Sequence, residues 1–564
     1  MKEILRRIES KRIVVIFAIF IITAFATFAL VRNGFFTMYD DMQVARVWQM
    51  DKCFRDFQIP CRWVPDLGLG YGYPLYIYYA PLPYYIMEVI HLIGFSFIAS
   101  VKTGFILSVL LSAIFFYCFS KNFFNKWVSI VTTSLYIFVP YRASSIYVRG
   151  SMGEAWGMAI VAFLFSSFEN FYKHRNTKSG IIFSLAVFSF FISHNITIVM
   201  FLPIFTVWIS LRLIFGRSQI KMIRNAILFF LLGLGLSSFF ILPLIFERNL
   251  VHIETLTSGY FGYLQHFLNL KQIFISLNWG YGPSILGPSD DALLGIGVIH
   301  SIVALIGFMS IYIMHKKQKI NLILGTFLFT SFLAASFLTH EKSTFVWKAF
   351  KLDIFQFPWR FAMISVFSAS FLAGFILKGL QKPKQVYIGL LIIITTLTLY
   401  LPFFKPKDWF YINDRQKLSG VNLKKQLTAS IYDYLPNTTK RAPDNVSTEN
   451  LEVIYGDVNV SKIKRGSNWF TYEVGVNSEN AYVAIPTYTY PNWIVMVDNH
   501  KVDTTGYGDY GLVSFNIPSG EHFIAANLLN SFVRRVGDFF SLVSLGIVII
   551  TAVYEKLNKK DISL

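Results

Sequence analysis

Two adjacent acids, Asp40 and Asp41, follow the first hydrophobic run of this chain. A carboxylate in such a loop can take the proton of a hydroxyl as that oxygen forms a bond. An acid can also hold a hard cation, and Asp41 is the candidate ligand for a divalent one. The pair opens a polar, aromatic stretch from Tyr39 to Tyr85 with Arg46, Asp51, Arg55, Asp56, Arg62 and Asp66. That stretch continues through Gly68-Leu-Gly-Tyr-Gly-Tyr73-Pro74. This glycine run lacks both the GxGxxG spacing and the following Lys-Ser/Thr of nucleotide loops. It predicts tight turns instead. Tyr73 and the aromatics after it suit either a membrane-interface belt or a platform for a sugar ring. Arg142, Arg149 and Arg360 carry the planar guanidinium that grips phosphate oxygens. Headgroup anchoring at helix ends is the competing role for each. Glu154, His194, Asn195 and Tyr281 are the remaining candidates to touch a substrate.

These residues must be positioned by membrane spans. The 564 residues are 54% hydrophobic, 18% aromatic and only 15% charged, against about 25% charged in soluble domains. Repeated apolar runs mark a polytopic α-helical membrane protein. The net charge of +19 sits mostly in short loops between apolar runs. That is the positive-inside bias, and it argues against a nucleic-acid partner. The basic stretch Met1–Arg12 precedes Ile13–Val31, which is long enough to span and has no small-residue cleavage site after it. It predicts a retained first helix with a cytoplasmic N-terminus.

The charge rule also decides which runs cross. If both Leu82–Ala99 and Phe105–Ser120 crossed, every later basic loop would be inverted. Leu82–Ala99 is therefore expected on the outer surface or half-inserted. Asp41 to Phe57 has apolar residues at helical spacing, and predicts an amphipathic helix lying on the membrane. The further spans expected are Trp127–Pro140, Ala155–Tyr172, Gly180–Ile192, Ile196–Leu211, Ala226–Phe246, Ala292–Met314, Asn321–Leu338, Phe361–Leu377 and Gln385–Phe404. From 405 to 535 apolar runs give way to short alternating strands and turns, a β-sandwich pattern. A last span, Val536–Tyr554, follows. The expected organisation is thus a transmembrane domain, 1–404, with outer loops 32–102 and 247–291; an outer β-rich domain, 405–535; and a final helix with its tail, 536–564. About twelve spans leave both termini in the cytoplasm and place Asp40, Asp41, Arg142, Arg149, Glu154, His194, Asn195, Tyr281 and Arg360 at one face. Cys53 and Cys61 share the first loop, and spacing leaves their pairing open. No CxxC or HExxH motif is present.

An outward-facing site in the cell membrane narrows the chemistry. Nucleotide sugars are scarce there, so an activated donor has to come from the membrane, and lipid-linked phosphosugars fit. The acid pair after the first span, the two long outer loops and the outer C-terminal domain resemble GT-C fold glycosyltransferases. More closely, Arg62-Trp-Val-Pro-Asp66, Gly70-Tyr-Gly-Tyr-Pro74, Tyr79-Ala-Pro-Leu-Pro83, Pro140-Tyr-Arg142, Arg149-Gly150 with Glu154, Ser193-His194-Asn195 and Phe357-Pro-Trp-Arg360 resemble a bacterial membrane-protein family called pyruvoyl-tetrahydropterin-synthase-related. The tail, Pro491-Asn-Trp493 to Asp498 and Pro518-Ser-Gly-Glu-His522, is similar to outer domains of proteins that glycosylate cell-surface polymers. The resemblance implies inverting transfer from a polyprenyl-phosphate sugar to a saccharide, lipid or protein acceptor. It carries the base role to Asp40, with Asp41 as the second acid.

Two other classes compete. A lipid or polymer flippase or transporter should place ionisable groups at mid-bilayer inside spans. Here they cluster at outer helix ends. A surface-polymer binding protein built on the β domain leaves the acid pair without a task.

Overall fold

A computed structural model describes residues 12–216, 218–287, 290–314, 318–429 and 431–561. Nearly all of the basic N-terminal segment lies outside the described residues, as do Arg217, His315, Lys316 and Lys317. Each of the twelve runs expected to span contains helix. Among the described residues seven helices are long and apolar enough to cross a membrane, or eight if Ile220–Leu236 and Ser238–Phe246, bent by 73°, form one span. The others fall short for visible reasons. Lys126–Ile137 has 12 residues, about 18 Å of helix against a hydrocarbon core of about 30 Å. Met152–His174 carries Glu154 and Glu169 inside an otherwise apolar run.

Several boundaries differ from expectation. Leu82–Leu92 is an 11-residue helix, about 16 Å long and too short to cross. The next helix begins at Phe97, not Phe105, because Ser96 caps it through the Ala99 N–H. The helix Gln43–Arg55 forms where the apolar spacing put one. It does not lie free on a surface: Gln43, Arg46, Gln49 and Asp51 are buried along with its apolar side. Its polar side chains find partners inside the protein. Gln49 donates to Asp66 at 2.7 Å, and Arg46 to the Tyr84 hydroxyl at 3.2 Å. Amphipathic spacing identifies a packing face but does not require water on the other.

The C-terminal strands form one hydrogen-bonded sheet rather than the two sheets of a sandwich. Seven strands belong to it: β3 (Glu452–Tyr455), β4 (Val458–Arg465), β5 (Trp469–Tyr488), β6 (Trp493–Val497), β7 (His500–Val502), β8 (Thr505–Tyr507) and β9 (Leu512–Leu528). The long strands β5 and β9 run antiparallel through its centre, with Phe470 opposite Ala526 and Ala484 opposite Ser514. A separate ribbon pairs β1 (Phe35–Phe36) with β2 (Trp409–Phe410), joining the exit of the first helix to the start of the C-terminal region. Alternation in β5 shows that one face is buried, but not what covers it. Part of the cover comes from the first loop: Trp63 meets Tyr490 and Trp493 at 5.7 and 5.8 Å, and Tyr71 meets Tyr488 at 5.6 Å. The sheet and the Asp40 loop therefore lie at the same end of the helical bundle.

Candidate functional site

The site is built around Glu154, in the first turn of Met152–His174 and fully buried. Its carboxylate accepts from the Tyr141 hydroxyl at 2.8 Å. It accepts from both terminal nitrogens of Arg149, at 2.6 and 2.8 Å, and from Nε of Arg360 at 2.9 Å. Arg360 also donates through Nη1 to the Phe355 carbonyl and to the Gln356 side chain. Arg149 lies over the Trp359 ring at 4.2 Å, and Arg360 over Phe357 at 4.7 Å. One buried acid thus holds two guanidiniums side by side without neutralising both. Nε of Arg149 and Nη2 of Arg360 make no hydrogen bond among the described residues and remain available as donors.

Asp40 reaches this cluster through the backbone. The Tyr39 N–H donates to the Val148 carbonyl at 3.1 Å, and the Asp40 N–H to the Arg149 carbonyl at 2.8 Å. The Gln43 side chain adds a bond to the Gly150 carbonyl at 2.9 Å. Gly150 permits this approach: its φ is +66°, and a Cβ there would stand 2.2 Å from Met38 Sδ. The Asp40 carboxylate itself has no hydrogen bond or ion pair among the described residues. Burial raises its pKa and Glu154 adds to the rise, while Arg149, Arg46 and Arg360 pull it back.

Asp41 is placed differently. Both of its oxygens accept from Lys417 Nζ, at 2.6 and 2.8 Å. Among the described residues no group of three or more His, Cys, Asp or Glu stands together as a metal site. Asp41, committed to Lys417, does not fit a cation ligand.

His194 approaches from a second direction. It precedes the helix Asn195–Phe215 and packs its ring where a Cβ on Gly153 would stand 2.7 Å away. Its Nδ1 lies 2.8 Å from the Thr197 hydroxyl and 3.4 Å from the Thr197 N–H, so Thr197 fixes the orientation of the ring. Burial and the two arginines hold its pKa down at about 3, against the opposing pull of Glu154. Asn195 donates to the Tyr78 carbonyl at 2.6 Å, and its Oδ1 is buried without a partner.

The other expected site residues stand apart. Tyr73 is buried and stacked on Tyr434. The Tyr281 hydroxyl donates to the Lys405 carbonyl, and the Tyr281 carbonyl accepts from Tyr39, so it links the two long loops. Arg142 points into the bundle, fully buried, bonded to Ser112 and to the Tyr136 carbonyl. It shares no partner with Glu154.

Sequence reasoning missed Arg46, Gln43, Tyr141 and Lys417. Gln43 and Arg46 lie three apart on the helix that follows Asp40, a spacing that places them on one face. Arg46 packs over Tyr79 at 4.2 Å. Lys417 is 376 positions from Asp41, and no local signal joins them.

No family model matches the chain. An uncharacterized protein of Lactococcus lactis subsp. cremoris (strain MG1363) is 26% identical over 250 residues, or 43% of this chain and 39% of that protein. The chain thus spans well under two thirds of that relative. An oligosaccharyltransferase of Archaeoglobus fulgidus in its apo form gives a TM-score of 0.41 at 12% identity, covering 70% of this chain and 56% of that one. The archaeal oligosaccharyltransferase AglB from the same organism, in complex with an inhibitory peptide and a dolichol-phosphate, gives 0.41 at 13%, covering 69% and 55%. A TM-score of 0.41 is too low to establish a shared fold.

Proposed function

We propose that this protein is a GT-C-type membrane glycosyltransferase. It transfers a sugar from a polyprenyl-phosphate donor to a saccharide, lipid or protein acceptor at the outer face of the cell membrane. One observation carries the reading: the Asp40 carboxylate is uncommitted, and it sits beside two arginines that Glu154 presents together. Asp41 and Glu154 are each held by cations; among the described residues Asp40 is bonded to none.

The step balances with these groups. The acceptor oxygen attacks the anomeric carbon from the side opposite the phosphate, and its proton passes to Asp40. The bond from that carbon to the phosphate oxygen breaks, and the polyprenyl phosphate leaves with the electron pair. Attack from the opposite side inverts the configuration. Arg149 and Arg360 stabilise the charge gathering on the leaving phosphate through their free N–H groups. Neutral His194 adds a polar ring beside the cluster without repelling either arginine. Asp41, tied to Lys417, orients the loop.

The outward orientation is supported by the Cys53–Cys61 disulfide in the first loop, since such bonds persist in oxidising spaces. The test is single-turnover transfer from a lipid-linked sugar by purified protein, with donor binding measured separately. Asp40→Asn is expected to abolish transfer and keep donor binding, whereas Asp41→Asn retains measurable turnover. Full activity in Asp40→Asn ends the general-base assignment.

A further inference from the structure

A cavity with charged groups in its wall lies at the same end of the bundle and shares no residue with the Glu154 cluster. Its volume is about 430 Å³, and its wall includes Asn33, Gly34, Lys102, Asn413, Asp414 and Arg415. It forms where the exit of the first helix, the start of Phe97–Lys121 and the entry to the C-terminal region converge. Its charges are unbalanced. Asp414 is the acid in the wall, and its oxygens accept from the Phe97 and Ile98 N–H groups at 2.6 and 3.0 Å. That carboxylate already serves the helix N-terminus.

The cations have no such partner. Lys102 Nζ donates to the Arg32 carbonyl at 2.6 Å and stands over Trp409 at 5.4 Å. Arg32, adjacent in the chain to Asn33, lies over Trp409 and Tyr411 at 5.6 and 6.0 Å. Arg415 is exposed. None of the three forms an ion pair among the described residues. Trp409 is itself fixed by donating to the Asn33 carbonyl at 2.5 Å. Exposed apolar residues adjoin the site: Phe28 and Val31 on the first helix, and Tyr411.

We infer that this cavity binds an anionic phosphate group at the membrane interface through Lys102 and Arg415, the two cations of its wall. The Arg415 guanidinium matches phosphate geometry and the Lys102 ammonium adds a point charge. The volume suits a small headgroup, and the apolar rim suits an attached acyl or prenyl chain. The phosphate can come from a lipid headgroup or from a soluble phosphorylated molecule. The assignment does not depend on glycosyl transfer at Asp40.

The experiment titrates full-length protein in neutral detergent with dihexanoyl phosphatidylglycerol, dihexanoyl phosphatidylcholine and glycerol 1-phosphate, reading binding by calorimetry. Saturable phosphatidylglycerol binding is expected. It should weaken at least tenfold in Lys102→Gln/Arg415→Gln and stay close to wild type in Lys102→Arg. Arg415→Gln alone, at an exposed position, controls for folding and should weaken binding by a smaller factor. Phosphatidylglycerol binding without glycerol phosphate binding supports a lipid headgroup as the source; comparable binding of both supports a soluble phosphate. No saturable binding, equal affinity for phosphatidylcholine, or an unchanged affinity in the double variant overturns the site.

Discussion

A desolvated carboxylate without a hydrogen-bond partner among the described residues is costly to keep ionised, and Asp40 is in that position. Its folded pKa is raised above the ordinary 3.8, chiefly by burial. The fold therefore holds the Asp40 proton more tightly than the unfolded chain does. The cost of ionisation is fully present above the raised folded pKa and vanishes as pH falls below the unfolded one. Asp40→Asn removes that cost, so thermal unfolding should show equal or greater stability in a variant that cannot transfer. Burial raises the Asp41 pKa too, against the pull of Lys417, but Asp41→Asn acts through that partner and should destabilise. It strands Lys417, whose side chain is 3% exposed, and should lose about 3 kcal/mol in denaturant unfolding while keeping turnover. The acid limb of kcat should have its midpoint above 3.8; a midpoint at or below that value removes Asp40 as the base. At Arg360, substitution by Lys keeps a charge but loses the fork that reaches Glu154, Phe355 and Gln356 at once. Transfer should fall by about tenfold or more, and unchanged donor affinity and turnover would leave Arg360 an anchoring residue only.

At the scale of elements, the site depends on two close approaches of backbone. The segment Tyr39–Asp40 lies against Val148–Gly150 because Gly150 takes a positive φ and leaves room for Met38. Gly150→Ala should strain that contact by about 1–3 kcal/mol and shift Asp40 relative to Arg149. The expected result is a loss of kcat larger than any loss of donor binding. Normal kcat in a folded Gly150→Ala protein would show that the contact does not set the position of Asp40. The second approach joins Met152–His174 to Asn195–Phe215. Gly153 faces His194, and Gly157 faces Thr197 with Oγ1 2.6 Å from where a Cβ would stand. Small residues four apart let two helices of a membrane bundle come this close.

At the scale of the molecule, the C-terminal region is bound into the site. Lys417 holds Asp41, Gln426 accepts from the Ala45 N–H, and Arg62 pairs with Asp538 of the last helix at 2.6 Å. The sheet and the acid loop must therefore face the same side. Labelling in a Cys118→Ser background tests which side that is. Single cysteines at the exposed positions Lys271 and Asn477 should react from outside the cell, and those at Asn176 and Gln318 should not. A cytoplasmic Asn477 would make nucleotide sugars available and remove the argument for a lipid-linked donor.

The membrane class, the twelve helical positions and the acid pair were legible in the chain because each is a local signal. Apolar length marks helices, basic loops mark one side, and Asp40-Asp41 stands out against a chain poor in acids. Arg149, Glu154 and Arg360 could be named because polar residues at helix ends are conspicuous in apolar surroundings. Their mutual bonds could not, since Arg360 meets Glu154 across 206 positions. The same limit hid the single sheet, part of whose cover is supplied by the distant first loop, and the burial of Gln43–Arg55. It also hid which acid is free. Asp40 and Asp41 are equivalent as sequence. Only the folded chain brings Lys417 to one and leaves the other open, because the difference lies in a partner that chain distance does not encode.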